Sequence, residues 1–172
     1  AVSLCIFAQQ MATQSEPSTP KGVGLTSLAV AFARSLETER QNSLFKDPFA
    51  KYLTGGTEDF WRAKLSDAQI QKMQGIALRT KFIDDAVMES VSKGARQFVI
   101  LGAGMDCRAL RLELPIDSYV WEIDLEEVLT FKNNALKDAM NVHNLKSFLP
   151  LEHRHCISID LSKEHSWKQP LL

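Results

Sequence analysis

The chain has 172 residues, 45% of them hydrophobic and 24% charged, with a formal net charge of −1. That length suits one domain with a substantial core, and the balanced charge offers no basic excess to recruit nucleic acid. No stretch approaches the roughly 20 apolar residues of a membrane span. The three cysteines, Cys5, Cys107 and Cys156, have no metal-ligand spacing and cannot all pair, which reads most simply as a reduced, cytoplasmic protein.

The apolar opening Ala1–Ala8 lacks the basic flank of a signal peptide. The chain does not begin with methionine, so Met11 is an alternative start, and residues 1–24, polar and rich in Pro, Ser and Gly from residue 9 onward, read as a disordered leader. From Leu25 to Glu39, Leu25, Leu28, Ala29, Phe32, Ala33 and Leu36 recur at helical spacing, which predicts an amphipathic helix. A short helix is expected from Asp47, with Pro48 in its first turn, stopping before Gly55-Gly56. Ser66 and Asp67 can cap a long helical region that ends at Gly94, with a joint expected near Arg79-Thr80.

After Gly94 the pattern becomes alternating strands and helices: strand 97–101, a turn and short helix, strand 118–123, helix 125–139 and strand 155–159. Such alternation implies an α/β fold with a parallel sheet. Phe98-Val99-Ile100-Leu101 reads as a fully buried strand. It runs into Gly102-Ala103-Gly104, where missing Cβ atoms allow a sharp turn and close approach to a ligand. Asp124 then ends the second strand about 20 residues on, the spacing of a ribose-binding carboxylate. Alternatively the glycines only make a turn and Asp124 only caps the next helix. Asp160 closes the third strand in the same way, which favours a nucleotide-containing ligand across the strand ends.

The third glycine of the dinucleotide fingerprint is replaced by Cys107, which argues for a ligand without a pyrophosphate and against NAD(P). Asp106 and Arg108 read as a pair that orders the loop, and Glu122 as either a support for the site or a solvent-facing residue. The four histidines have no helical metal spacing and read as surface or loop residues, whereas Trp61, Trp121 and Trp167 read as packing residues. No metal site and no catalytic triad can be assembled.

Several stretches occur in a specific order: Thr26-Ser27-Leu28-Ala29, Leu44-Phe45-Lys46-Asp47-Pro48-Phe49-Ala50, Ala77-Leu78-Arg79-Thr80-Lys81-Phe82-Ile83-Asp84-Asp85, Leu101-Gly102-Ala103-Gly104-Met105-Asp106-Cys107-Arg108, Glu122-Ile123-Asp124-Leu125 and Asp160-Leu161. With them the chain resembles the leucine carboxyl methyltransferase-like branch of class I S-adenosylmethionine-dependent methyltransferases, from about residue 25 to 165. The departures are Cys107, where Thr or Ser is expected, and the absence of the family's carboxyl-terminal half. The resemblance implies the amino-terminal portion of a Rossmann-like doubly wound sheet (residues 94–172) beneath a helical cap (residues 25–93), with strand 97–101 central in the complete sheet.

It also implies S-adenosyl-L-methionine as cofactor. Arg79 would bind its carboxylate, and the Gly102 to Gly104 loop would pass against its methionine part. Asp124 would accept from the ribose, and Asp160 with Leu161 would hold the adenine. The implied reaction is O-methylation of a carboxylate or hydroxyl, on a small molecule or a protein carboxyl terminus. A carboxylate acceptor needs no general base, so no catalytic residue is named. The rivals are an NAD(P)-dependent oxidoreductase and an inactive truncated fragment that only binds a partner.

Overall fold

The computed structural model describes residues 23–163. The leader through residue 22, with Cys5 and Met11, and the late His165 and Trp167 lie outside the described residues. Helix α1, Leu25–Glu39, forms as the periodicity predicts and buries Leu28, Ala31, Phe32 and Ala33. The helix also buries Arg34 and Glu37. Asp47 starts the next turn by accepting the backbone N–H groups of Phe49 and Ala50 at 3.2 and 3.1 Å. The turn tightens into a 3₁₀ helix, Ala50–Thr54, and ends where Gly55 takes a left-handed φ of 63°.

Helix α2, Glu58–Lys64, was not legible as a separate element. It has acids in its first turn and bases in its last, the arrangement that suits the helix dipole. Its one buried residue, Trp61, donates from Nε1 to Thr57 Oγ1 at 2.9 Å. Helix α3, Asp67–Lys72, starts at Ser66, whose N–H is accepted by Gln69 Oε1 at 3.0 Å. The expected joint near Arg79-Thr80 is corrected: the break is at Met73, and helix α4, Gln74–Ser92, runs unbroken through Arg79. Met73 is buried with Phe32, Trp61, Leu65 and Ile76, which pins the bend there. Gly75 next to it adds little helical preference of its own.

The sheet contains strands β1 (Gln97–Leu101), β2 (Tyr119–Asp124) and β3 (Arg154–Ser158), all parallel, in the order β1-β2-β3. A short helix α5, Arg108–Arg111, follows β1, and helix α6, Glu126–His143, follows β2. Phe98 and Ile100 pack with Val87 and Val91 of α4 against Ala109, Leu114, Val120 and Leu149. The full burial expected of β1 is corrected, because Val99 is 48% and Leu101 60% exposed. Among the described residues β1 has only β2 as a neighbour, so one face and one edge stay open.

Of the two sequence readings of Glu122, the solvent-facing one is corrected. It is fully buried between β2 and α6, where Oε2 accepts from Lys132 Nζ and Arg154 Nη2, each at 2.7 Å. The histidines are more engaged than expected. His153 and His155 stack with Tyr119 and Trp121 along β2 and β3, and His143 lies 4.6 Å from the Tyr52 ring. No helix among the described residues is long and apolar enough to cross a membrane.

Two tests follow from this architecture. Lys132→Ala removes one of the two cations that hold the buried Glu122 carboxylate and should destabilise the protein by about 3–5 kcal/mol. Lys93→Ala removes only an exposed pair with Glu89 and should change stability by less than about 1 kcal/mol in the same denaturant titration. Equal effects would contradict the buried triad. The open β1 edge should also make the 172-residue chain self-associate on its own. A monodisperse monomer on size-exclusion chromatography, with one cooperative melting transition, would contradict that.

Candidate functional site

Strand β1 ends at Leu101 and the chain turns through Gly102 (φ 60°) and Gly104 (φ 45°), a left-handed region that glycine adopts without strain. The loop is tied to the end of β2 at two points. Ala103 N–H donates to Ile123 O at 3.0 Å, and Gly104 N–H donates to Asp124 Oδ2 at 2.6 Å. The other carboxylate oxygen of Asp124 accepts Leu125 N–H at 2.7 Å. Asp124 therefore does more than either sequence reading assigned it, since it latches the glycine loop to the start of α6.

A set of alternating charges holds the loop from beneath. Arg34 of α1 pairs through Nε with Asp47 Oδ2 at 2.9 Å and through Nη2 donates to Met105 O. Arg108 pairs with Asp106, as its sequence position suggested, and through Nε with Asp84 Oδ1 of α4 at 2.8 Å. Arg111 grips both Asp84 oxygens at 2.8 Å and approaches Asp47 at 3.5 Å. Burial alone would push the Asp106 carboxyl up, but Arg108, Arg34 and Lys132 outweigh it and hold the group below the usual carboxylate range. Burial would also discharge Arg34 and Arg111, yet the aspartates keep both strongly protonated. Burial pushes the Cys107 thiol well up, so it stays protonated beneath the loop.

Above this cluster lies a cleft of about 950 Å³. Arg79 of α4, the Gly102 to Gly104 loop and Asp124 all line it. Four of the six residues picked out in the sequence thus share one cavity. Arg79 is exposed and makes no ion pair among the described residues, in contrast to Arg34, Arg108 and Arg111. Asp160 and Leu161 do not line the cleft. They follow Ile159, whose N–H donates to Asp124 O at 2.9 Å, so they stand at its rim beside the end of β2. The Asp160 carboxylate accepts Ser162 Oγ at 2.6 Å and N–H at 3.0 Å, contacts that hold it below the usual carboxylate range.

Arg34, Asp47, Asp84, Arg111 and Lys132 were not singled out as site residues. The available signal was a charged residue on an otherwise apolar helical face: Arg34 between Ala33 and Ser35, and Asp84 one turn after Thr80. As a whole, the cleft offers one uncommitted cation, a loop able to approach a ligand closely and a carboxylate at the strand end. It can hold an elongated polar ligand with an anionic group at one end and hydroxyl donors further along. Among the described residues no cluster of His, Cys, Asp or Glu could hold a metal.

A Streptomyces avermitilis protein is 38% identical over 136 residues, covering 74% of this chain and 47% of the relative. A Mycobacterium bovis protein is 35% identical over 166 residues, covering 88% of this chain and 50% of the relative. Both carry the name "Putative S-adenosyl-L-methionine-dependent methyltransferase". The chain spans about half the length of these curated relatives. The sequence profile of the leucine carboxyl methyltransferase family matches residues 27–172, and the chain belongs to that family.

Proposed function

We propose that the protein is a cytoplasmic S-adenosyl-L-methionine-dependent methyltransferase that acts on an oxygen acceptor. The observation that carries this reading is the meeting of Arg79, the glycine loop and Asp124 in one cleft. The names of the relatives support the cofactor. The residues also fit it: a Cβ built on Gly102 would meet nothing within 4 Å, so the loop's outer surface is open to a close-lying group. The position of the third dinucleotide glycine is filled by Cys107, only 1% exposed and packed with Met105 and Leu110, which disfavours a pyrophosphate cofactor.

Arg79 would take the methionine carboxylate through its planar fork of donors. Asp124, with both oxygens already aimed by backbone N–H groups, would accept from the ribose hydroxyls through its remaining lone pairs. Asp160 and Leu161 at the rim would bound the adenine, the carboxylate accepting from its exocyclic amine. When bound, the cofactor supplies a methyl group on a sulfonium, which an acceptor displaces in line. The chain's own contribution is alignment and the exclusion of water. A carboxylate acceptor is anionic at neutral pH and needs no base. For this reason we favour carboxyl methylation of a small molecule or a protein carboxyl terminus, with no catalytic residue assigned on this chain.

Calorimetric titration should show saturable binding of S-adenosylmethionine and S-adenosylhomocysteine and none of NAD. NAD binding without a response to the other two would reject the reading. Asp124→Ala should weaken the cofactor by about 1–3 kcal/mol, because ribose hydroxyls lose their acceptor in a closed site. Arg79→Ala should cost at least as much through the lost charge-assisted pair. Unchanged affinity in either variant would remove that residue from the site.

A further inference from the structure

Arg108 makes more distinct connections than a loop-ordering pair requires. Its Nη1 and backbone N–H both go to Asp106, two residues beyond Gly104. Its Nε reaches Asp84 Oδ1 at 2.8 Å, and Nη2 reaches Thr80 O at 3.4 Å. One guanidinium thus binds the glycine loop on one side and, on the other, the turn of α4 that follows Arg79. Asp84 is buried and its second oxygen is held by Arg111, so the α4 anchor cannot swing to follow the loop. Among the described residues Arg79 itself has no ion pair to orient it.

We propose that Arg108 is a positioning residue that sets the separation between Arg79 and the glycine loop, and thereby the recognition of the cofactor's carboxylate end. This rests on the cofactor reading above. The mechanism is geometric. A planar fork with several donors can span a carboxylate on the loop together with a carboxylate and a carbonyl on α4, each in a fixed direction. A lysine ammonium keeps the charge but is a single point on a flexible stem, so it satisfies one acceptor side and releases the other. Released, the α4 turn carrying Arg79 can drift, and a displacement of even 1 Å is costly for a charge-assisted contact. The ribose end, held by Asp124, is tied to the glycine loop and β2 rather than to α4, so it does not depend on that spacing.

The test is ligand discrimination in the whole protein. S-adenosylhomocysteine carries the amino-acid carboxylate, and 5′-methylthioadenosine lacks it while keeping adenine and ribose. Arg108→Lys should weaken S-adenosylhomocysteine by about tenfold or more, the scale of one charge-assisted contact, and change 5′-methylthioadenosine by less than about twofold. In an Arg79→Ala background the same substitution should cost nothing further, since coupled residues are non-additive. Asp84→Asn, which loosens the α4 anchor while keeping its shape, should reproduce the selective loss if Arg108→Lys does not fold. Equal losses for both ligands, or additive losses with Arg79→Ala, would overturn the proposal while leaving the cofactor reading intact. Failure of both variants to fold would overturn it as well, because Arg108 would then hold the fold rather than the spacing. A parent protein that binds neither ligand would overturn the cofactor reading and this inference together.

Discussion

The structure depends on the alternating charge cluster formed by Arg34, Arg108 and Arg111 with Asp47, Asp84 and Asp106. Its formal charges cancel, and its members come from α1, the Asp47 turn, α4 and the segment around α5. Burying any one of these ions alone would cost far more than a single hydrogen bond returns. The carboxylates are instead held by guanidinium groups and, at Asp47 and Asp106, by backbone N–H donors as well, so the desolvation is offset collectively. Such a cluster does not make a fold stable in the way apolar burial does. It makes one arrangement of the helices and the loop far better than its neighbours, because any shift strands a charge.

The same logic recurs on β2, close to this cluster, where Lys132 also acts on the Asp106 carboxyl. Glu122 accepts from Lys132 and Arg154, one cation from α6 and one from β3, and Arg154 also reaches Asn133 Oδ1 at 2.9 Å. The apolar clusters, one around Leu28, Phe49 and Leu53, one around Phe32 and Trp61 and one around Val120 and Leu149, supply the bulk of the burial. The division of labour is clear: apolar contacts drive collapse, and the charges decide how the elements meet.

Much of this was legible in the chain because local pattern and global fold agree. The bounds of α1 follow from the spacing of Leu28, Ala29, Phe32 and Ala33, and β1 and β2 from short apolar runs closed by glycine and acid. Gly102, Gly104 and Asp124 converge because strand ends on one side of a parallel sheet are adjacent whatever the loops do, and α4 adds Arg79 to the same cleft. What escaped had tertiary causes. The break at Met73 is set by packing against Phe32 and Trp61 across helices, which no local window contains. Helix α2 has a single buried residue, too few for a periodic signal. Glu122 stays open between a supporting and a solvent-facing role in isolation, since its partners Lys132 and Arg154 are distant in sequence. The ion cluster is invisible for the same reason: each member is an ordinary charged residue until the fold brings its partners to it.

The burial of Cys107 gives the chain a gauge of its own motions. Its thiol lies beneath the glycine loop, is kept protonated by its surroundings and is almost inaccessible, whereas Cys156 on β3 is exposed. A thiol reagent in water should therefore modify Cys156 at once and reach Cys107 only when the loop lifts away from α1 and β2. The slow phase of such a reaction measures the free energy of local opening at the cleft, separately from global unfolding. Any ligand that bridges the loop and α4 must lengthen that phase, whatever its chemical identity, so occupancy of the cleft becomes readable in the native chain through the kinetics of one sulfur atom.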